Sequence, residues 1–299
     1  MKAVFMGTPQ MAVPTLRELV DNNIEVALVI TQTDKPKGRG KQMQAPPVKE
    51  FALEHGIEVV QPQSLKNNDE VLAKLKEIEP DFLVVAAYGK ILPQAVLDVP
   101  KYAPVNVHFS LLPKYRGAAP VNWAVINGEK EKGVAIMLMD AGLDTGDILL
   151  VEKTEIDKKT ALDIAEELSE TGARLLIETL KNFDNIKPIK QNEADMTYAP
   201  MMKKEDGNID WTKSAAEIEC MIRGFVPWPT AYSKMDGKTV KLFAAEVVNA
   251  PEDIEAGSVY DVTKKSFSIK CGVDGLKIKE LQPEGKKECR WVVSSPEQK

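Results

Sequence analysis

Four short apolar runs constrain this chain more than anything else in it: "KAVFMG" (Lys2 to Gly7), "EVALVIT" (Glu25 to Thr31), "DFLVVAAY" (Asp81 to Tyr88) and "PVNVHFS" (Pro104 to Ser110). Each is short, rich in β-branched residues and apolar at consecutive positions, and helical patterns lie between several of them. A strand that is apolar on both sides must be covered on both faces, which is the condition of a parallel sheet in an α/β layer fold. "GVAIMLMD" (Gly133 to Asp140) and "DILLVEKTEI" (Asp147 to Ile156) follow as a hairpin added to that sheet, and an amphipathic helix from about Thr160 to Lys181 closes the unit.

The 299 residues leave room for a second domain. After Pro188 the pattern changes, because "QNEADMTYAPMMKKEDGNIDW" is polar and without a sustained helical period, and it reads as a linker. Beyond a helix at about Ala215 to Gly224 come short strands separated by Asp-Gly turns, which suggest a small β-barrel of the OB type. The expected organisation is a Rossmann-like, mostly parallel α/β domain over 1–188, a linker over 189–206 and an OB-like domain over 207–299. Core packing is the expected role of Trp211 and Trp228.

Several function classes recede at once. Gly7 follows the first strand in "FMGTPQMAVPTL", but the G-x-G-x-x-G spacing of a dinucleotide fold is absent, so the turn reads as a tight strand-to-helix connection with Thr8 or a neighbour capping the helix. No apolar stretch approaches the ~20 residues of a membrane span, and the start lacks the flanks of a signal peptide, so the expected location is cytoplasmic with no membrane partner. Cys220, Cys271 and Cys289 are widely spaced without nearby histidines, which argues against both a disulfide framework and a metal site. The formal charge of −6 argues against indiscriminate nucleic-acid coating but not against a local basic site. "TDKPKGRGKQMQAPPVK" (Thr33 to Lys49) is such a concentration, with Lys35, Lys37, Arg39 and Lys41 spaced by glycine and proline. By composition it is either a solvated surface excursion or a mobile phosphate-binding loop.

His108 is one of two histidines, and alternation on its strand puts Asn106 on the same face. At the carboxyl end of a parallel strand, where open α/β sheets bind ligands, such a pair can hold and protonate a carbonyl oxygen. A satisfied structural histidine is the competing reading from spacing alone. Asp144, in the glycine-flanked loop "MDAGLDTGDILL", adds a carboxylate that can be aimed into a cleft. Asn, His and Asp together suit acyl transfer, and since no serine or cysteine sits where a covalent nucleophile is expected, direct transfer to an amine is the favoured form. His55, after a helix and without such companions, reads as a surface or helix-end residue.

Together "GTPQMAVPTL", "AAYGKILP", "NVHFSLLPKYRGAAPVNWAVINGE", "MDAGLDTGDILL", "GNIDW" and "PWPTAY" resemble the methionyl-tRNA formyltransferase family of 10-formyltetrahydrofolate-dependent enzymes, in nearly continuous register from Met1 to about Lys287. The Asn-x-His and Leu-Asp-x-Gly motifs alone also fit glycinamide ribonucleotide formyltransferase; the second domain and basic loop favour tRNA. The resemblance implies that Asn106, His108 and Asp144 are the catalytic triplet, that Ser110, Leu111, Leu112 and Pro113 form a tetrahydrofolate-binding segment, and that Tyr88 and Ile91 help line the pterin pocket. It implies a tRNA-binding role for Lys35, Lys37, Arg39 and Lys41, centred on Arg39. The implied partners are 10-formyltetrahydrofolate as formyl donor and initiator methionyl-tRNA as acceptor, with no metal, in a chain expected to be a monomer. A small amine or a nucleotide sugar is the alternative acceptor. An RNA-binding module with a degenerate catalytic domain is a reading of another class, and it predicts loss of one triplet member, whereas all three are present. From Glu288 the chain reads "ECRWVVSSPEQK" where the family continues otherwise, which suggests a frame shift near Lys287 and a tail poorly fitted to the barrel.

Overall fold

In a computed structural model, residues 1–37, 42–235, 237–263 and 266–285 are described. The departure from Glu288 onward, with Cys289 and Trp291, lies outside them. In chain order the strands are β1 (Lys2–Gly7), β2 (Glu25–Ile30), β3 (Lys35–Lys37), β4 (Gln42–Gln44), β5 (Val59–Val60), β6 (Phe82–Ala86), β7 (Ala103–His108), β8 (Arg116–Gly117), β9 (Glu131–Leu138), β10 (Ile148–Glu155), β11 (Tyr198–Ala199), β12 (Ala231–Met235), β13 (Lys238–Val248), β14 (Val259–Tyr260), β15 (Ser268–Lys270) and β16 (Gly275–Pro283). The helices are α1 (Val13–Asp21), α2 (Pro47–Glu54), α3 (Asp69–Ile78), α4 (Gln94–Leu97), α5 (Pro120–Ile126), α6 (Ala161–Lys181) and α7 (Ala215–Gly224).

The continuous apolar runs form one sheet in the order β10-β9-β7-β6-β1-β2-β5. β7, β6, β1, β2 and β5 run parallel, and β9 pairs antiparallel to β7. The carboxyl ends of the parallel strands therefore share one edge, where β7 delivers His108. On one face Val4, Met6, Leu28, Ile30, Leu83 and Val85 pack with Val71 and Leu75 of α3 and Val96 and Leu97 of α4. The other face of β7 and β9 meets α6 so closely that a Cβ on Gly172 would come 2.8 Å from Val107 and 2.9 Å from Val134. At that edge Thr8 does not cap α1, whose N-cap is Ala12 without a side-chain bond. Its hydroxyl donates instead to the Tyr88 carbonyl at 3.2 Å and accepts from the Gln32 amide, tying together the loops after β1, β2 and β6.

The chain divides into two compact units, one of residues 1–120, 131–154 and 165–199, the other of 121–130, 155–164 and 200–299. In the second, α7 starts with a reciprocal capping box between Ser214 and Glu217 and buries Ile218, Met221 and Ile222 against Leu242, Ile269, Leu276 and Ile278. Its sheet is antiparallel in the order β12-β13-β16-β15-β14, and among the described residues no ladder joins β14 to β12. A small β unit is thus present, and the described residues do not close it into the barrel expected from the turn spacing. Trp211 packs at this core and its indole donates to Ser233 at 3.0 Å. Trp228 corrects the expectation of a buried ring: it is 52% exposed, because Phe225 fills the core at the end of α7 and Trp228 sits between two prolines in the connection beyond it. Among the described residues no helix is long and apolar enough to cross a membrane.

The closeness of α6 to the sheet sets a sign that propensity alone would reverse. Alanine for glycine inside a helix ordinarily gains about 1 kcal/mol, whereas overpacking against a fixed wall costs about 1–3 kcal/mol. Gly172→Ala is therefore expected to lower stability in a denaturant melt; a stabilised variant would contradict the packing described.

Candidate active site

Asn106 lies opposite Met137, and His108 opposite Ala135, in the β7–β9 ladder. Directly opposed residues share a face, so both polar side chains stand on the side of the sheet away from α6, beside an apolar cluster of Leu112, Ala135, Met137 and Ile148. Asn106 is 9% exposed and His108 6%. The Asn106 side-chain amide has no hydrogen-bond partner among the described residues, so a group with two donors and an acceptor is left for a ligand.

His108 is half committed. Its Nε2 lies 3.1 Å from the Tyr115 carbonyl oxygen, which can only accept, so Nε2 carries the proton of the neutral ring and Nδ1 keeps its lone pair. Nδ1 faces Asp144 Oδ2 at 3.7 Å. Burial pushes the imidazole below its ordinary pKa; the Asp144 carboxylate and the Tyr115 carbonyl pull it back up, while Lys132 and Arg116 push it further down. The ring is neutral at pH 7, and the carboxylate is the main group that favours its protonation.

Asp144 is held from two sides. The Gly117 amide donates to its Oδ2 at 2.8 Å. Its own loop is closed by Asp140, whose Oδ1 accepts from the Gly142 amide at 3.0 Å and from the Thr145 hydroxyl. Gly146 is required there, since a Cβ would fall 1.9 Å from the Leu138 carbonyl oxygen. Asp144 itself has φ +53°, and Tyr115, two residues before Gly117, has φ +60°. Non-glycine residues in this region cost free energy and persist where surrounding contacts fix them.

Those contacts come from the polar stretch that reads as a linker. Gln191 Nε2 donates to the carbonyls of Asp144 at 2.8 Å and Gly146 at 2.7 Å. Its Oε1 accepts from Arg116 Nε at 3.0 Å and Nη2 at 2.7 Å, and Arg116, itself buried, forms a bidentate pair with Glu193 at 3.0 and 2.7 Å. That pairing holds the Glu193 carboxyl below its usual range. Thr197 accepts the Tyr115 amide on its hydroxyl and the Arg116 amide on its carbonyl, and β11 then runs parallel to β8. Sequence reasoning missed Arg116, Gln191, Glu193 and Thr197. The stretch has no helical period because its partners are side chains and a two-residue ladder.

The other expected site residues fall in different places. Ser110 is buried and donates to the Lys114 carbonyl at 2.7 Å, so its hydroxyl is occupied. Leu111 covers Gly133 of β9, Leu112 belongs to the apolar cluster, and Pro113 follows it through a cis peptide. Tyr88 is buried with Leu92 and Leu97; its Oη has no partner among the described residues, and burial pushes the phenol up to about 12. Ile91 is 83% exposed. Of the basic residues, Lys35 and Lys37 lie on β3, which pairs with β4 as an antiparallel ribbon. Arg39 and Lys41 lie outside the described residues. The ribbon's base is clasped by Lys49, which bonds both Asp34 oxygens at 2.9 Å and Gln61 at 2.7 Å. His55 is exposed at the end of α2. Among the described residues no group of His, Cys, Asp and Glu is placed to hold a metal ion.

Comparison with known proteins agrees with a chain of two units. A model of the formyl transferase family matches residues 1–180, and a model described as "Formyl transferase, C-terminal domain" matches residues 201–293. Methionyl-tRNA formyltransferase of Clostridium novyi is 50% identical over 290 residues, covering 96% of this chain and 94% of the relative. Among solved structures, an N-formyltransferase from Helicobacter canadensis, in complex with folinic acid and dTDP-3-aminofucose, superposes with a TM-score of 0.68 at 20% identity over 95% of this chain and 99% of the other. HypX from Aquifex aeolicus, in complex with tetrahydrofolic acid, gives 0.65 at 19% identity, and the match spans 96% of this chain but only 45% of HypX. At these identities the two structures speak to the fold.

The electrostatics of His108 have a direct readout. In a His55→Gln background a single imidazole signal remains, and its NMR titration midpoint is expected below 6.5, the ordinary value. Asp144→Asn removes a contribution that raises the pKa, so the midpoint should fall further. A midpoint above 6.5, or one that rises in Asp144→Asn, contradicts the assignment of causes.

Proposed function

The chain belongs to the formyl transferase family, and from that premise we infer that it transfers a formyl group from 10-formyltetrahydrofolate to the amino group of methionine carried by initiator tRNA. The relative at 50% identity over nearly its whole length supports the acceptor. The observation that carries the chemistry is the unpaired Asn106 amide beside a neutral His108 backed by Asp144. The folate derivative supplies an activated formyl carbon. Asn106 donates to the formyl oxygen and stabilises the negative charge it gains under attack. His108 Nδ1 takes the proton that the attacking amine loses and returns it to the departing folate nitrogen; Asp144 stabilises the imidazolium in between. One C–N bond forms, one breaks, and the proton is conserved, so neither a metal nor an enzyme-bound acyl group is needed.

The donor set suits the folate in kind: Leu112 and the cluster around it offer an apolar wall next to the free amide, and Ser110, Leu111 and Pro113 shape the turn that presents it. The β3–β4 ribbon and the loop between its strands are assigned to the tRNA, with Lys35, Lys37, Arg39 and Lys41 contacting phosphate. The second unit is assigned as the OB-type tRNA-binding element. In support, β13 is 11 residues long with register irregularities at Leu242/Ala244 and Ala244/Ala245, and such bulges bend a strand toward closure.

The direct test offers 10-formyltetrahydrofolate with charged initiator tRNA, charged elongator tRNA and small amines in parallel. Initiator tRNA is expected to be the preferred acceptor; preference for an amino sugar would replace this reading of the acceptor. Asn106→Ala should lower turnover by about 10²–10³ and His108→Ala by about 10²–10⁴, with folate binding retained. Near-normal turnover in either would remove the catalytic assignment. Arg39→Ala should raise the KM for tRNA and flatten its salt dependence, by up to about 0.9 in the log–log slope for each phosphate no longer neutralised. An unchanged profile would leave the loop as surface.

A further inference from the structure

Asp144 can help His108 only while its carboxylate is aimed at Nδ1, and the carboxylate sits on a loop residue in a left-handed conformation that its own backbone does not favour. Gln191 caps that loop by donating to the carbonyls on both sides of Thr145. An amide side chain can flip, and a flipped Gln191 would point an oxygen at two carbonyl oxygens. Arg116 forbids the flip, because its Nε and Nη2 both require an acceptor at the Gln191 oxygen position. Glu193 in turn fixes the guanidinium from the side opposite, and the neighbouring Gly117 amide holds Asp144 Oδ2 directly. One chain of hydrogen bonds thus runs from an exposed carboxylate to the loop that carries the proposed proton-managing group.

We propose that Gln191 and Arg116 are positioning residues for the transfer reaction: together they set the orientation of Asp144 toward His108, so that the segment 189–199 acts as a strap on the active site rather than as a passive connection. The proposal rests on the role given to Asp144 above. Neither residue needs to touch substrate. The charged and titratable groups facing His108 are Asp144 from the β9–β10 loop, Lys132 from β9 and Arg116 from β8. Loosening Asp144 leaves the two cations unopposed, so a strap variant should behave as a weakened Asp144 variant and not as a folding variant.

The test is Gln191→Glu, which keeps the shape and the pairing with Arg116 but replaces the two donated hydrogen bonds by repulsion between oxygens. Expected is a roughly 10- to 100-fold fall in kcat, each factor of ten being about 1.4 kcal/mol, with the KM for the folate substrate nearly unchanged. The acid limb of the kcat/KM profile should also be displaced, because His108 loses the aimed carboxylate that raises its pKa while a new anion is set on Arg116. Gln191→Asn, which restores a donor on a shorter arm, should recover part of the loss. Asp144→Asn run alongside separates the two ideas. If it leaves turnover and pH profile intact, the role of Asp144 fails; if it is impaired while Gln191→Glu has normal kcat and an unmoved acid limb, the strap proposal alone is overturned. Should Gln191→Glu fail to fold, Glu193→Gln frees Arg116 from an exposed partner, and a fall of a few-fold in kcat with an acid limb moved to lower pH is required of it; a wild-type profile there overturns the proposal equally.

Discussion

Everything at this site depends on placing an imidazole out of water beside a carboxylate. Burial alone disfavours the charged form of His108 and pushes its pKa down. Asp144 at 3.7 Å offsets part of that cost, and because a carboxylate has no hydrogen to donate, the lone pair on Nδ1 stays free in the resting state. The Tyr115 carbonyl settles which nitrogen holds the resting proton. A base that is neutral at rest and chargeable on demand follows from these two contacts.

The fold supplies the precision in layers. β7 is held between β6 and β9, and the close approach of α6 at Gly172 seats Val107 on the other face, which by alternation leaves Asn106 and His108 on the opposite side. The carboxylate is less naturally fixed, because it lies in a loop. Its rigidity comes from glycine at 146, the turn made by Asp140, and hydrogen bonds from residues 117 and 191. Side chains distant in sequence therefore define a distance of a few ångströms. The buried positive charges of Arg116 and Lys132 push the imidazole pKa further down, against the pull of the carboxylate.

The sequence carried the sheet because continuous β-branched runs admit few other fates, and it carried the Asn106–His108 pair because strand alternation is a geometric rule. Asp144 was legible as a carboxylate between glycines. The strap was not, since Gln191, Glu193 and Thr197 act through side chains on irregular backbone, and no periodicity marks such a segment. Tyr88 and Ile91 lie in the irregular stretch after β6, where no strand or helix period sets which way a side chain points; the structure buries the first and leaves the second at the surface. Thr8 and Trp228 failed for related reasons: each is spent on a tertiary arrangement, a carbonyl 80 residues away for Thr8 and a proline-bracketed connection for Trp228, that outweighs local preference.

The central claim is that His108 and Asp144 act as one unit during formyl transfer. A double-mutant cycle measures this most directly, with kcat/KM for charged initiator tRNA determined for His108→Gln, Asp144→Asn and the pair together. Residues that act as a unit give strongly non-additive losses. The account predicts that the double variant will be little slower than the slower single variant. Losses that multiply, each variant costing the same whether or not the other residue is intact, would contradict it.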